Sequence, residues 1–154
     1  MGSSYTDNNK FEKIPIFPYS VKYNSAFYGP FREAAKSSPN FGDRKTYQMN
    51  FKNSEEAINE VKLDINEGAD VIIIKPAISY LDIIYRIKQK FNIPIIAYNV
   101  SGEYTMVKSA SEKNFINGIE TILEILHSIK RSGANAIISY HALEVAKYLK
   151  ANDL

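Results

Sequence analysis

Four short apolar segments, each followed by polar residues, constrain the fold of this chain more than any other feature. They span residues 14–21, 69–74, 93–98 and 134–138. The last three are continuously apolar rather than alternating, which is typical of parallel strands buried on both faces. Two prolines interrupt the first segment, so we expect an edge strand or an irregular strand there.

Helical patterns separate these predicted strands. The sequence Asn-Ser-Glu-Glu at 53–56 resembles a capping box, and it precedes an apolar helical stripe that ends at Gly68. Three further helical patterns begin near Ser79, Asn117 and Ala142. Strands that alternate with helices predict a parallel α/β arrangement.

Composition excludes several classes of protein and site. The 154 residues suit one domain, and a formal charge of +2 is too small to indicate nucleic acid or an anionic membrane as a partner. The absence of cysteine excludes disulfides, thiolate zinc sites and cysteine nucleophiles. No segment has the length of a membrane span, and the first ten residues lack the apolar core of a secretory signal. We expect a polar, disordered stretch at 1–13 and a single domain over 14–154.

The predicted strands end in residues with useful chemistry. Lys22, Lys75, Ser101 and Tyr140 follow the four apolar segments in turn. In a parallel α/β barrel the active site collects at the carboxyl ends of the strands. Two lysines close together would each lower the other's pKa and supply a neutral amine that attacks a carbonyl. The alternative, that these lysines only extend to the rim of the barrel, stays open on this reasoning alone.

Carboxylate-binding chemistry follows Lys22. Arg32 and Arg44 are two of only four arginines, and Gln48 lies shortly after them. A guanidinium is a rigid bidentate donor for carboxylates, although solvated surface arginines are the simpler alternative. His127 and His141, the only histidines, form no catalytic pattern and are too few for a three-histidine metal site.

Four motifs at 20–35, 42–48, 75–83 and 100–104 resemble, in order and in spacing, those of one family. Among them are Lys-Pro-Ala at 75–77 and Val-Ser-Gly-Glu-Tyr at 100–104. The family is that of the porphobilinogen synthases, or 5-aminolevulinic acid dehydratases, and the resemblance runs from about residue 14 to 149. It implies the C-terminal half of a TIM-type (β/α)8 barrel, with about four parallel strands. It also implies condensation of two 5-aminolevulinate molecules with loss of two waters.

The resemblance implies roles for individual residues on the propionate side of the product. Lys75 resembles the lysine that forms a Schiff base with the substrate giving that side. Ser101 and Tyr140 resemble the hydroxyls that bind its carboxylate, and Phe31 resembles an aromatic wall of the same pocket.

A second set of residues belongs to the acetate side. Lys22 resembles the second Schiff-base lysine, and Arg32, Arg44 and Gln48 resemble the carboxylate clamp of its substrate. Glu60 is similar to the glutamate that holds an allosteric Mg²⁺ in some members. An active-site Zn²⁺ would depend on a half of the family's chain that this sequence does not match.

Partners and location also follow from the resemblance. We expect 5-aminolevulinate as substrate, and either a homo-oligomer such as the family's octamer or the missing N-terminal half as protein partner. Nucleic acid and membrane are not expected as partners. The expected location is the cytoplasm, or a plastid in a plastid-bearing organism. Two alternatives stay open: another Schiff-base aldolase on a TIM-type barrel, and a non-catalytic remnant that serves in assembly or binding.

Overall fold

A computed structural model describes residues 13–34 and 48–153, apart from the side chain of Arg32. Within these residues four strands form one parallel sheet in the order β1-β2-β3-β4. The strands are β1 (Val21–Lys22), β2 (Ile72–Lys75), β3 (Ile95–Asn99) and β4 (Ala136–Ser139). The predicted fold class, half of a TIM-type barrel with about four parallel strands, is confirmed. The predicted disordered stretch at 1–13 lies outside the described residues except for Lys13.

Six helices accompany the sheet in the described ranges. They are α1 (Gly29–Ala34), α2 (Glu55–Asn66), α3 (Leu81–Lys90), α4 (Ser101–Glu112), α5 (Gly118–Arg131) and α6 (Ala142–Ala151). Short 3₁₀ turns at Ala26–Tyr28 and Ile78–Tyr80 precede α1 and α3. No helix in the described part of the chain is long and apolar enough to cross a membrane.

The first predicted strand is much shorter than expected. Only its last residue and Lys22 are strand, although residues 14–20 still run beside β2. The Ile16 carbonyl accepts from the Asp70 N–H at 3.1 Å, and the Pro18 carbonyl accepts from the Ile73 N–H at 3.0 Å. The two prolines in this stretch have no N–H to donate, so a regular ladder cannot form there.

The helix starts were predicted in part. Before α2 the Asn53 Oδ1 accepts from the N–H groups of Glu55 and Glu56 at 3.1 and 3.4 Å, which is the Asn53 half of the predicted capping box. Asn117 caps α5 as predicted. Ser79 does not cap a helix, because it lies inside the 3₁₀ turn that precedes α3.

Helix α4 was not predicted from the sequence. Its buried residues include Ser101, Gly102 and Glu103, so its first turn carries no apolar stripe that would indicate a helix. The helix begins directly after β3 and therefore presents the second half of the Val-Ser-Gly-Glu-Tyr motif at the carboxyl edge of the sheet.

The core lies between the sheet and helices α2, α3 and α5. Ile72, Ile74 and Ile95 of the sheet are fully buried, and Ile84 and Ile87 of α3 are buried against them. Burial of each such side chain stabilises the fold by about 1.5–3 kcal/mol. Strand β4 is different, since its residues are exposed or half-buried and no described strand lies beyond it. One edge of the sheet is therefore open in the described structure.

Candidate active site

Two lysines lie opposite each other at the carboxyl edge of the sheet. Lys22 and Lys75 are the last residues of β1 and β2 and are partners in the parallel register. Register partners on parallel strands direct their side chains to the same face of a sheet. The peptide bond between Lys75 and Pro76 is cis.

Aromatic rings surround the Lys75 amine. Its Nζ lies 4.3 Å from the ring centroid of Tyr98, 5.2 Å from that of Tyr28 and 5.4 Å from that of Tyr19. The ring of Tyr19 also lies 5.8 Å from Nζ of Lys22, so it stands near both amines. Ring faces attract an ammonium, and they hold the amine away from bulk water.

Burial lowers the pKa of Lys75, and the charge of Lys22 lowers it further. The sequence predicted this direction from the neighbouring lysine alone, whereas burial is the larger cause. The rings oppose the shift because they favour the charged form. A lowered pKa increases the fraction of neutral amine near neutral pH, and the neutral amine is the nucleophile.

A small cavity joins four of the predicted site residues. Lys75, Ser101, Tyr140 and Phe31 line it, together with three residues that were given no role: Tyr28, Tyr98 and Val100. Its volume is about 30 Å³, which is close to the volume of one water. A larger ligand therefore requires lining side chains to change rotamer, and Phe31 and Tyr140 are the more exposed ones, at 49 and 45 %.

Among the described residues, the Ser101 hydroxyl makes one hydrogen bond and does not use its own hydrogen as a donor. Its Oγ accepts from the Phe31 N–H at 3.1 Å, which ties α1 to the start of α4. A hydroxyl also carries one donor hydrogen. That hydrogen is the part of Ser101 that suits an incoming carboxylate.

The remaining predicted clamp residues are only partly described. Arg44 lies outside the described residues, as does the side chain of Arg32. Gln48 is buried, and its Oε1 has no hydrogen-bond partner among the described residues. Gln48 lies next to Met49, whose N–H donates to the Lys22 carbonyl at 3.1 Å. The structure thus brings Gln48 near the end of β1, but it lines a different cavity from Lys75.

Comparison with known proteins identifies the family. Residues 3–148 match the family model described as delta-aminolevulinic acid dehydratase. The chain belongs to this family. The match begins at residue 3, earlier than the resemblance near residue 14 that the motifs indicate.

Two curated relatives and one solved structure show how much of a dehydratase this chain covers. The delta-aminolevulinic acid dehydratases of Synechocystis sp. and Bacillus subtilis are 56% and 55% identical over 94% and 93% of the chain. The Toxoplasma gondii enzyme, solved with the reaction product porphobilinogen, is 46% identical over 95% of the chain with a TM-score of 0.92. The chain spans 44% of each of the two curated relatives and 42% of the solved one.

Glu60, the predicted magnesium ligand, lies in the middle of α2 and is exposed. No group of three or more His, Cys, Asp or Glu side chains that could hold a metal occurs among residues 13–34 and 48–153. A magnesium ion usually keeps several waters and takes only one or two carboxylates, so a single exposed glutamate fits such an ion.

Sequence reasoning missed several residues of this candidate site. Tyr98 lay inside an apolar segment and was counted as core, but the residues of β3 alternate in burial and Tyr98 is on the less buried face. Burial raises its pKa to about 12, and its hydrogen bond with Tyr140 raises it as well. Tyr19 and Tyr28 lay in or beside the quoted motifs without an assigned role. The one feature of the sequence that could have indicated these two tyrosines is that they lie close to Lys22 along the chain.

Proposed function

We propose that this chain carries the Schiff-base half of a porphobilinogen synthase active site. The observation that carries the proposal is the pairing of Lys22 with Lys75 at the carboxyl edge of the sheet, in a chain of the dehydratase family. Each lysine amine would attack the keto carbon of one 5-aminolevulinate and release water as the C=N bond replaces C=O. The iminium then acidifies the neighbouring carbon, which makes carbon–carbon bond formation feasible near neutral pH.

The two substrates would be held by different groups. Lys75, with Ser101, Tyr140 and Phe31, would bind the substrate that gives the propionate side, and these residues line one cavity. Lys22 would bind the second substrate, with Arg32, Arg44 and Gln48 on its carboxylate. Charge-assisted bonds of this kind contribute about 1.5–3 kcal/mol each. Arg32→Ala and Arg44→Ala should therefore weaken capture of the second substrate.

Borohydride trapping tests the covalent step. The chain is incubated with 5-aminolevulinate, reduced, digested and mapped by mass spectrometry. We expect label on Lys75 and less on Lys22, with none on Lys108, a partly exposed lysine on α4 that pairs with Glu144. Lys75→Met should remove the main label, and Lys108→Met is the matched control. Label spread evenly over the lysines would contradict the proposal.

A non-catalytic assembly role is the second candidate, and the open edge at β4 favours it. Exposed edge strands pair readily with other chains. The partner would be a second copy of the chain or a protein that supplies the other half of the barrel. A chain that binds such a partner but shows no trapped adduct, alone or in the complex, would support this role over catalysis.

Magnesium binding at Glu60 is a separate proposal. Glu60 would supply one carboxylate oxygen, and waters would complete the octahedral shell. Calorimetric titration with MgCl₂ should show binding that Glu60→Gln abolishes. Glu124→Gln, which changes an exposed glutamate of α5, is the matched control. Equal binding by both variants would refute the assignment.

A further inference from the structure

The carboxylate of Glu103 is completely buried and surrounded by donors. Its Oε1 accepts from the N–H groups of Ala77 and Ile78 at 3.1 and 2.6 Å. Its Oε2 accepts from the Val100 N–H at 2.7 Å and from Nδ2 of Asn99 at 3.2 Å. Four donors and no acceptor favour the ionised carboxylate. One side chain thus holds the backbone that follows β2 and the backbone that follows β3.

Asn99 carries the connection to the next strand. Its Oδ1 accepts from the Ser139 hydroxyl at 2.8 Å, while its amide donates to Glu103. The Ser139 Oγ in turn accepts from the His141 N–H at 3.1 Å. Asn99 is 1% exposed. The carboxyl ends of β2, β3 and β4 are therefore joined by one continuous series of hydrogen bonds, which is buried at Glu103 and Asn99 and partly buried at Ser139.

Each joined strand end carries a residue of the candidate active site. Lys75 is two residues before Ala77, Ser101 is two residues before Glu103, and Tyr140 follows Ser139 directly. The side chains of Lys75, Ser101 and Tyr140 are not part of this series of hydrogen bonds. The hydrogen bonds instead hold the backbone that positions these three side chains.

We propose that Glu103 and Asn99 are positioning residues that hold Lys75, Ser101 and Tyr140 in one fixed arrangement. This inference rests on the proposed function in one respect: Schiff-base formation is the step that the arrangement would serve. A fully satisfied buried network makes the surrounding structure rigid and specific. A carboxylate is the one side chain of this size that satisfies four converging donors.

The position of Glu103 also explains how the buried charge is tolerated. An unpaired buried carboxylate would cost several kcal/mol. Here it lies in the first turn of α4, where the helix dipole favours negative charge. Burial raises the pKa of Glu103, and the four hydrogen bonds oppose that rise.

Two variants test positioning against a purely structural role. Glu103→Gln keeps the shape but places an amide NH₂ among four donors. Glu103→Gln combined with Asn99→Asp moves the charge across the hydrogen bond. The introduced amide NH₂ can then donate to the introduced carboxylate, while the amide oxygen still accepts from the N–H groups of Ala77 and Ile78. The Val100 N–H loses its acceptor in both variants, so they differ only in the bond between positions 99 and 103. Glu112→Gln, which changes an exposed glutamate on the same helix, is the matched control.

The main readout needs no substrate. Lysines of the 154-residue chain are labelled by reductive methylation with ¹³C-formaldehyde, and the Lys75 signal is titrated by NMR. Among the described residues, the titratable groups around Lys75 are Lys22, Tyr19, Tyr28, Tyr98 and Tyr140, and all are kept in these variants. Glu103→Gln should move the Lys75 titration upward, toward that of an ordinary lysine. Trapping at Lys75 should slow at least about tenfold, as for misplaced reacting groups.

The double variant tests whether the hydrogen bond between positions 99 and 103 affects Lys75. If Glu103→Gln/Asn99→Asp reverses most of the change in Lys75 titration that Glu103→Gln causes, the two positions are coupled through that hydrogen bond. A Glu103→Gln chain that loses stability to urea but keeps the wild-type Lys75 titration overturns the inference. If Glu103→Gln does not fold, Ser139→Ala removes the two outer hydrogen bonds, to Asn99 and from the His141 N–H, and leaves those of Glu103 in place. It should shift the same titration in the same direction. If the variants shift the Lys75 titration as expected but the wild-type chain traps no 5-aminolevulinate, the proposed function is refuted. The positioning role of Glu103 and Asn99 would still stand.

Discussion

Lys22 and Lys75 end neighbouring parallel strands and face each other in register. Two residues that are far apart in sequence are thereby fixed on one face of one sheet edge. The pairing places a positive charge near a half-buried amine, which lowers the pKa of Lys75 beyond the effect of burial.

Removal of the Lys22 charge should raise the pKa of Lys75. In Lys22→Met the repulsion between the amines is lost, so the charged form of Lys75 becomes easier to hold. Burial, the larger cause, remains, and the pKa should stay below that of an ordinary lysine. The pH dependence of borohydride trapping at Lys75 checks this, with Lys108→Met as control. A shift toward lower pH in Lys22→Met would contradict the electrostatic pairing.

Ser101→Ala should weaken substrate capture more than it slows turnover. The lost hydroxyl would have donated to a carboxylate, a bond that contributes about 1.5–3 kcal/mol. KM for 5-aminolevulinate should rise, measured in a form that turns over. Ser109→Ala, which changes an exposed serine of the same helix, should leave KM unchanged. An unaltered KM in Ser101→Ala would remove Ser101 from the site.

Gly102→Ala should destabilise the fold. A Cβ at position 102 would lie 2.5 Å from the Phe27 carbonyl oxygen and 2.7 Å from its Cα, and backbone atoms cannot yield as a flexible side chain can. Overpacking of this kind costs about 1–3 kcal/mol. Urea unfolding should show the loss, whereas Gly29→Ala, where no atom of the described residues lies within 4 Å of the added Cβ, should show none. Equal midpoints for the two variants would mean that the 3₁₀ turn and α4 are less closely packed.

Acid should destabilise the chain partly through His141. Burial lowers its pKa, the nearby Glu144 carboxylate raises it, and the charge of Lys108 lowers it. The unfolded chain then binds a proton before the folded chain does, so the free energy of unfolding falls as the pH drops below about 6.5. Denaturant unfolding between pH 5 and 8, taken as roughly the range in which a histidine titrates, should show this slope. In His141→Gln the slope should be smaller, and a slope that does not change would exclude His141 as its source.

The open edge of β4 should cause self-association. Ile138 is 39% exposed on this strand, and unpaired strand edges recruit other chains. Ile138→Lys should shift the chain toward monomer in sedimentation experiments, because a charge on an edge strand discourages pairing. Phe115→Lys changes a side chain that is 77% exposed but lies between α4 and α5, and it should have little effect. A wild-type chain that is monomeric at all concentrations would contradict the prediction.

The sheet could be predicted from the sequence because its strands are continuous apolar segments. The end of β1 was also predicted, but its length was not. Regular pairing with β2 needs backbone N–H groups along residues 14–20, and the two prolines there have none. Helix α4 was missed because the buried residues of its first turn are not apolar. Periodicity detects apolar faces, and a helix whose first turn buries Ser101 and Glu103 gives no such signal.

The candidate site, like the fold, could be predicted from the sequence only in part. Lys75, Ser101, Tyr140 and Phe31 were predicted together, and the structure brings them to one cavity. Their roles in catalysis and binding stay predictions. Glu103 lay in a quoted motif, but its four partners come from two strand ends that only the fold brings together. No pattern along the chain indicates such a set of contacts.

The register of the sheet has a consequence for the order of folding. Val21 pairs with Ile74, whereas Ile72 pairs with Ile95. The segment that must be closed to pair β1 with β2 is therefore more than twice as long as the one that pairs β2 with β3. Each doubling of loop length costs about 0.6 kcal/mol of closure entropy, and distant pairings form later than local ones. We therefore expect β2 and β3 to pair first and β1 to join afterwards. Lys75 would acquire its charged neighbour only in that late step, so the contribution of Lys22 to the lowered pKa of Lys75 would come last.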